Sequence, residues 1–158
     1  MVLADACFNI THSSFKENFE DILNESKKLG VGHFFCPAAE KKDIDKVIKF
    51  SSIYKEISCG IGIHPHHANE VDAELLMKLE TLINQEDITA IGEIGLDYYR
   101  DFQQKITQQE SFEEQLKLAS DHKMPVFLHN REAFKDFYSI LKNCLLYTSD
   151  AADEVSCG

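Results

Sequence analysis

Five short apolar runs, Val2 to Ile10, Gly32 to Ala38, Ile57 to Ile63, Ile88 to Ile94 and Met124 to Asn130, alternate with longer amphipathic stretches, and this alternation leaves few architectures open. Each run is partly β-branched or aromatic, as a buried strand is. The stretches between predict helices over Phe15 to Leu29, Lys41 to Tyr54, Asp72 to Gln85, Gln108 to His122 and Glu132 to Lys142. Phe15, Phe19 and Ile22 stand at i, i+4 and i+7, as do Phe112, Leu116 and Ala119, so each set shares a helix face. Ser14 with Glu17, and Thr107 with Glu110, have the spacing of a capping box. The centres of the apolar runs recur about every 26 to 36 residues, the length of a βα unit. Five such units in a row imply a parallel sheet.

A chain of 158 residues that is 44% hydrophobic buries a core of ordinary size, so one domain is expected. The five cysteines are odd in number and form no C-x-x-C pair, which indicates neither a disulfide framework nor a structural zinc site and fits a reducing, cytoplasmic compartment. There is no basic segment leading into an apolar stretch and no run near the roughly 18 apolar residues of a spanning helix. A soluble, unexported chain with no membrane contact is expected, and no stable protein partner is evident. The net charge of −11 argues against gripping nucleic acid through a broad basic face. It leaves open a phosphate site where bound cations supply the positive charge locally. The only two arginines, Arg100 and Arg131, both adjoin the motifs below, and arginine's planar fork matches phosphate.

Two architectures accept five βα units: a doubly wound open sheet and a (β/α)8 barrel, the TIM barrel, truncated after about five units. The polar residues favour the barrel. Asp5 and Asn9 lie in or after the first run, His64 and His66 end the third, Glu93 the fourth, and His129 with Arg131 the fifth. Polar residues at the carboxyl ends of several strands converge on one face of a barrel. His64, His66, Glu93 and His129 together suit a hard or borderline divalent cation. Two such cations about 3.5 to 4 Å apart activate water and neutralise a leaving oxygen in phosphodiester hydrolysis. Blander readings stand beside this one. A turn around Pro65 can tolerate both histidines, Glu93 can pair with a nearby lysine or arginine, and Arg100 can pair with Asp101 on the surface. His67 and His122 read as solvated.

Four blocks, GIGIHPHHA (60–68), AIGEIGLDYYR (90–100), QQESFEEQLKLA (108–119) and MPVFLHNREAF (124–134), resemble consecutive blocks of the TatD family of metal-dependent deoxyribonucleases, in order and at matching spacing up to about Asn143. The resemblance implies a TIM barrel of the metal-dependent hydrolase type, cytoplasmic, using divalent ions such as Mg2+, Mn2+ or Zn2+. It implies that Glu93 is the metal-bridging glutamate and His129 a metal-binding histidine. It also implies that His64 borders the metal site and contacts the scissile phosphate. Arg131 or Arg100 is then expected to steady phosphate oxygens, and DNA, through single strands or 3′ ends, is the expected substrate. The activity implied is hydrolysis of DNA phosphodiester bonds, including 3′ to 5′ exonuclease action.

Two departures qualify that reading. Where many members have D-x-H-x-H, this chain has Cys7 and Asn9, and DACFNIT (5–11) resembles the TatD subgroup proper, in which the histidine pair is absent and asparagine stands at the second place; Cys7 is expected in the core and Asn9 as a neighbour of the site. Family members are also longer, with a later histidine and a T-D-x-P aspartate that this chain lacks. Residues 144–158 do not resemble the family, and Cys144 to Glu154 reads like a translated sequencing-library adapter. The expected organisation is therefore a hydrolase domain over 1–143, an incomplete barrel, and a non-native tail over 144–158, with a native acidic tail as the alternative. Such a piece is expected to expose strand edges, to be marginally stable and to be inactive. A metal-dependent amide or ester hydrolase on the same barrel, and a non-catalytic metal-binding fragment, are the competing functions.

Overall fold

The computed structural model describes residues 2–15 and 17–153, with side-chain surroundings as far as Cys144. Five strands, β1 (Leu3–Asp5), β2 (Val31–Pro37), β3 (Ile57–Ile61), β4 (Ala90–Asp97) and β5 (Val126–Arg131), form one parallel sheet in the order in which they occur in the chain. Helices α1 (Phe19–Lys28), α2 (Ile44–Ile53), α3 (Ala73–Gln85), α4 (Lys105–Asp121) and α5 (Phe134–Asp153) alternate with them. A doubly wound sheet reverses its strand order at a switch point, whereas a barrel adds each strand beside the last. The uninterrupted order is that of the barrel.

The sheet also curls. Phe35 on β2 and Phe127 on β5 have ring centroids 5.1 Å apart although two strands lie between them. In a flat sheet, strands three places apart are separated by about 14 Å. The intervening positions are Gly60 on β3 and Gly92 on β4, where an added Cβ would lie 2.6 Å from the Phe35 ring and 2.7 Å from Phe127 Cβ. The missing side chains leave room for the two rings on the concave face. The helices pack on the other side of the strands through Ile44, Val47, Leu75, Leu79, Phe112 and Leu116, all buried with Ile57, Ile61, Ile91 and Ile94. β1 and β5 each pair on one side only among the described residues.

Element ends shift from the sequence expectation, and at three of them the local reason is plain. β1 stops at Asp5 because the Asp5 carboxylate accepts the Cys7 N–H at 3.0 Å and turns the chain, so Phe8 returns to bond the Phe35 carbonyl singly. Ser14 caps no helix, because His12 Nδ1 accepts its N–H and holds it in a single turn (Ser13–Phe15); α1 begins at Phe19. Thr107 lies inside the first turn of α4, whose N-cap is Gln104. Asp72, by contrast, caps α3 as the predicted start requires, accepting the Leu75 N–H at 2.7 Å. The backbone of α5 continues helical to Asp153, and beyond Cys144 the reading of 144–158 as a tail falls on side chains outside the described residues.

Candidate active site

The carboxyl ends of β3, β4 and β5 bring together His64, His66, Glu93, Asp97 and His129. His64 follows β3 at the head of a short turn, Pro65–Glu70, and its backbone N–H bonds the Ala39 carbonyl at 2.9 Å. The preceding residue, Ile63, is clamped by Gln115 of α4, which accepts its N–H at 2.7 Å and donates to its carbonyl at 3.2 Å. The pairing of β4 with β5 shifts between Ile91 and Ile94, so Glu93 escapes the regular ladder and its N–H points to the Ala38 carbonyl at 3.3 Å. A bulge of this kind re-aims a side chain, and here it turns a strand-interior glutamate into the cluster.

Glu93 Oε1 lies 3.1 Å from His129 Nδ1 and 4.0 Å from His64 Nε2. These three residues can each offer one ligand atom within 4.8 Å of the others. Two donors about 2.1 Å from a shared ion stand about 3 to 3.5 Å apart, so the Glu93 and His129 atoms already have the spacing of co-ligands. The second imidazole nitrogen of His129 faces Asp97 Oδ2 at 3.2 Å, and the same oxygen lies 2.7 Å from His66 Nε2. A carboxylate behind a ligating histidine fixes the proton on the far nitrogen and leaves the near one free for a cation. The donor set therefore fits a divalent metal.

Burial, opposed by the Glu93 carboxylate, pushes the His64 imidazole down to about 4, so it is neutral at pH 7. The His66 N–H donates to its Nδ1 at 3.2 Å, which leaves the ring proton on Nε2 facing Glu93. His64 is thus a hydrogen-bond donor into the site. His129 is raised, first by its hydrogen bond to Glu93, against burial and with help from Asp97. Glu93 is lowered despite its burial because His129 bonds it and His64 lies nearby. Asp97, 1% exposed, sits at about 2: burial opposes ionisation, but the Arg100 N–H and His66 outweigh it.

Of the residues singled out in the sequence, His64, His66, Glu93 and His129 converge. Arg131 lies at the same end of β5, its guanidinium 4.0 Å over the Tyr99 ring, and neither it nor Arg100 forms an ion pair among the described residues. Cys7 is exposed rather than in the core, its thiol raised by partial desolvation and then by the Glu93 and Asp5 carboxylates. Asn9 is exposed and accepts from the Thr11 hydroxyl. His67 is only partly solvated; it approaches Glu70 at 3.4 Å and Glu40 at 3.9 Å, a second group able to hold a cation. His122 approaches Glu80 at 3.4 Å. Sequence reasoning passed over Asp97, Gln108 and Gln115. The glutamines were findable as polar residues seven apart on the apolar face that carries Phe112.

A family model described as TatD related DNase matches residues 4–148. The chain is 32% identical over 137 residues to the 3′-5′ ssDNA/RNA exonuclease TatD of Cronobacter sakazakii, covering 87% of this chain and 52% of that protein. It is 34% identical over 133 residues to an uncharacterized metal-dependent hydrolase of Buchnera aphidicola, covering 84% and 50%. The crystal structure of YjjV, a TatD homologue from Escherichia coli K12, superposes with a TM-score of 0.83 at 29% identity, over 90% of this chain and 56% of that one. The chain spans about half the length of the curated relatives it matches. Among the described residues no helix is long and apolar enough to cross a membrane.

Proposed function

The chain belongs to the TatD related DNase family, and from that premise we propose that its site serves metal-dependent hydrolysis of phosphodiester bonds in DNA, acting from the 3′ end of a single strand. The observation that carries this reading is the Glu93–His129 pair at 3.1 Å with Asp97 behind the histidine. These are the residues that would hold Mg2+, Mn2+ or Zn2+. What a bound divalent cation supplies is an activated water and neutralisation of the charge on the leaving oxygen.

The remaining groups act on the phosphate and on protons. His64, neutral and protonated on Nε2, donates a hydrogen bond to a phosphate oxygen or to the departing oxygen. Arg131, at the rim, steadies the charge of the substrate. Asp97 holds His66 and His129 in their orientations without touching substrate. The single-strand and 3′-end preference is taken from the named activity of the relatives. The unpaired thiols of Cys36 and Cys59 in the core fit a reducing cytoplasm.

The test is shortening of 5′-labelled single-stranded DNA with Mn2+, with and without EDTA, against Glu93→Gln. Stepwise loss from the 3′ end, stopped by EDTA and absent in the variant, is expected. Turnover of an amide or ester panel with no effect on DNA would overturn the assignment.

A further inference from the structure

Two large aromatic side chains are turned outward beside this site, on the loop that joins β4 to α4. Tyr99 is 55% and Phe102 61% exposed. Single exposed apolar residues are ordinary. This pair differs in how it is held and in what it adjoins. The Phe102 ring packs edge-on against His66 at 4.7 Å, and His66 in turn touches Asp97 and packs against His64 at 4.3 Å. One imidazole therefore separates Phe102 from the residues that handle the phosphate. Tyr99 has the Arg131 guanidinium on one face at 4.0 Å.

The loop is pinned at many points. Asp97 Oδ1 accepts the N–H groups of Tyr99 and Arg100 at 3.1 and 2.9 Å, and Tyr98 donates its N–H to the Arg131 carbonyl at 2.9 Å. Gln103 donates to the His66 carbonyl at 3.2 Å, while its own carbonyl accepts from Gln108 at 2.8 Å. Tyr98, between these anchors, turns inward and donates its hydroxyl proton to Asp136 at 2.9 Å. Tyr99 and Phe102, by contrast, each leave most of the ring in solvent. The fold thus spends several partly buried hydrogen bonds on a loop that presents two aromatic faces to solvent.

We propose that Tyr99 and Phe102 form a stacking shelf for the unpaired bases of single-stranded nucleic acid, with Arg131 supplying charge to the adjoining phosphate. The proposal rests on the phosphodiesterase reading above and assigns it a binding subsite. A base offers a flat π-face to each ring whatever its identity, so such a shelf selects strands whose bases are unstacked and free, without selecting sequence. The charge fits as well: in a chain of net charge −11, the only two arginines stand here, Arg100 within the loop and Arg131 beside it at the end of β5. Neither guanidinium forms an ion pair among the described residues, so both are available to the phosphates of a polyanion. An apolar protein partner, the other occupant of an exposed aromatic pair, would have no use for that charge.

The chain contains no tryptophan, so Phe102→Trp creates a single reporter. In EDTA, where nothing is cleaved, titration with oligothymidylate should quench its fluorescence, and an abasic oligomer of the same length should not. In parallel, the unaltered chain should bind oligothymidylate roughly ten-fold more tightly than the abasic oligomer, and Tyr99→Ala/Phe102→Ala should erase most of that ratio. Met77→Ala, an equally exposed apolar site on α3, should leave it intact. Equal affinity for the two oligomers, or a ratio untouched by the double substitution, would overturn the shelf and leave these rings to a protein partner. Failure of Mn2+-dependent cleavage would instead overturn the nuclease reading, because the base preference is measured without turnover.

Discussion

Gln108 bonds both backbone groups of Asp97, accepting its N–H at 2.8 Å and donating to its carbonyl at 3.1 Å. Gln108 is 1% exposed, so no water can replace it. Gln108→Met keeps the volume but strands two buried backbone groups at about 1 to 3 kcal/mol each. A loss of roughly 2 to 6 kcal/mol in urea unfolding is expected. Because Asp97 sets the orientation of His66 and His129, Mn2+ affinity should fall with it by about ten-fold or more. Calorimetry on the folded variant measures the second effect apart from the first. Native-like Mn2+ affinity there would show that Gln108 supports the fold alone.

Gly95 stands opposite His129 in the β4–β5 register and has a φ of +143°. An added Cβ would collide with the His129 carbonyl oxygen. Gly95→Ala therefore combines a strained backbone with overpacking against a neighbouring strand, each costing about 1 to 3 kcal/mol. Thermal unfolding should show a lower midpoint than for Gly30→Ala, where φ is also positive but nothing lies within 4 Å. Equal losses in the two variants would mean that the close approach of β4 and β5 does not matter.

The periodic features of the sequence were legible because they repeat. Five apolar runs gave five strands in the expected order, and the histidines and Glu93 met at their carboxyl ends. What stayed hidden depends on tertiary partners. The fourth run reads as ending at Ile94, just after Glu93, yet β4 extends three residues further and delivers Asp97 to the same site. Asp97 is silent in the sequence because its weight lies in whom it touches, one histidine in the turn after β3 and one on β5. The clamps of Gln108 and Gln115 are equally nonlocal, the latter reaching across 52 positions to Ile63. Ser14 misled for the opposite reason: a nearer partner, His12, took the cap's place.

Metal binding should release protons. His129 lies between the carboxylates of Glu93 and Asp97 and so keeps a proton above the pH at which a free imidazole loses it. A cation needs the lone pair at Nδ1, which that proton occupies. Mn2+ affinity should thus rise with pH up to the raised pKa of His129, by as much as about ten-fold per unit, and level off above it. Calorimetry in buffers of different ionisation enthalpy counts the released proton, with about one per ion expected near pH 6. Glu93→Gln removes the largest cause of the shift, so whatever binding remains should depend less on pH. A pH-independent affinity would exclude His129 as a ligand.

Acid should weaken the metal-free fold through His64. Its pKa is lowered, from an ordinary 6.5 to about 4, because burial penalises the charged ring. Above pH 6.5 the imidazole is neutral whether folded or unfolded and contributes no slope. Between 6.5 and 4 the unfolded chain takes up a proton that the folded chain refuses, so stability falls as pH falls, by at most about 3 kcal/mol. His129 works the other way: its pKa is raised, so its pairing with Glu93 stabilises the fold below pH 6.5 and that gain is lost as pH rises through the shifted value. The two effects partly cancel in the unaltered chain, and His64→Gln separates them. A glutamine carbonyl can still accept the His66 N–H, but it does not titrate. Urea unfolding in EDTA at pH 7 and pH 5 should show the variant losing less stability than the unaltered chain, by about 2 kcal/mol. Identical losses would mean that His64 carries a proton in the folded state at pH 5, and burial would then not be what keeps its ring neutral.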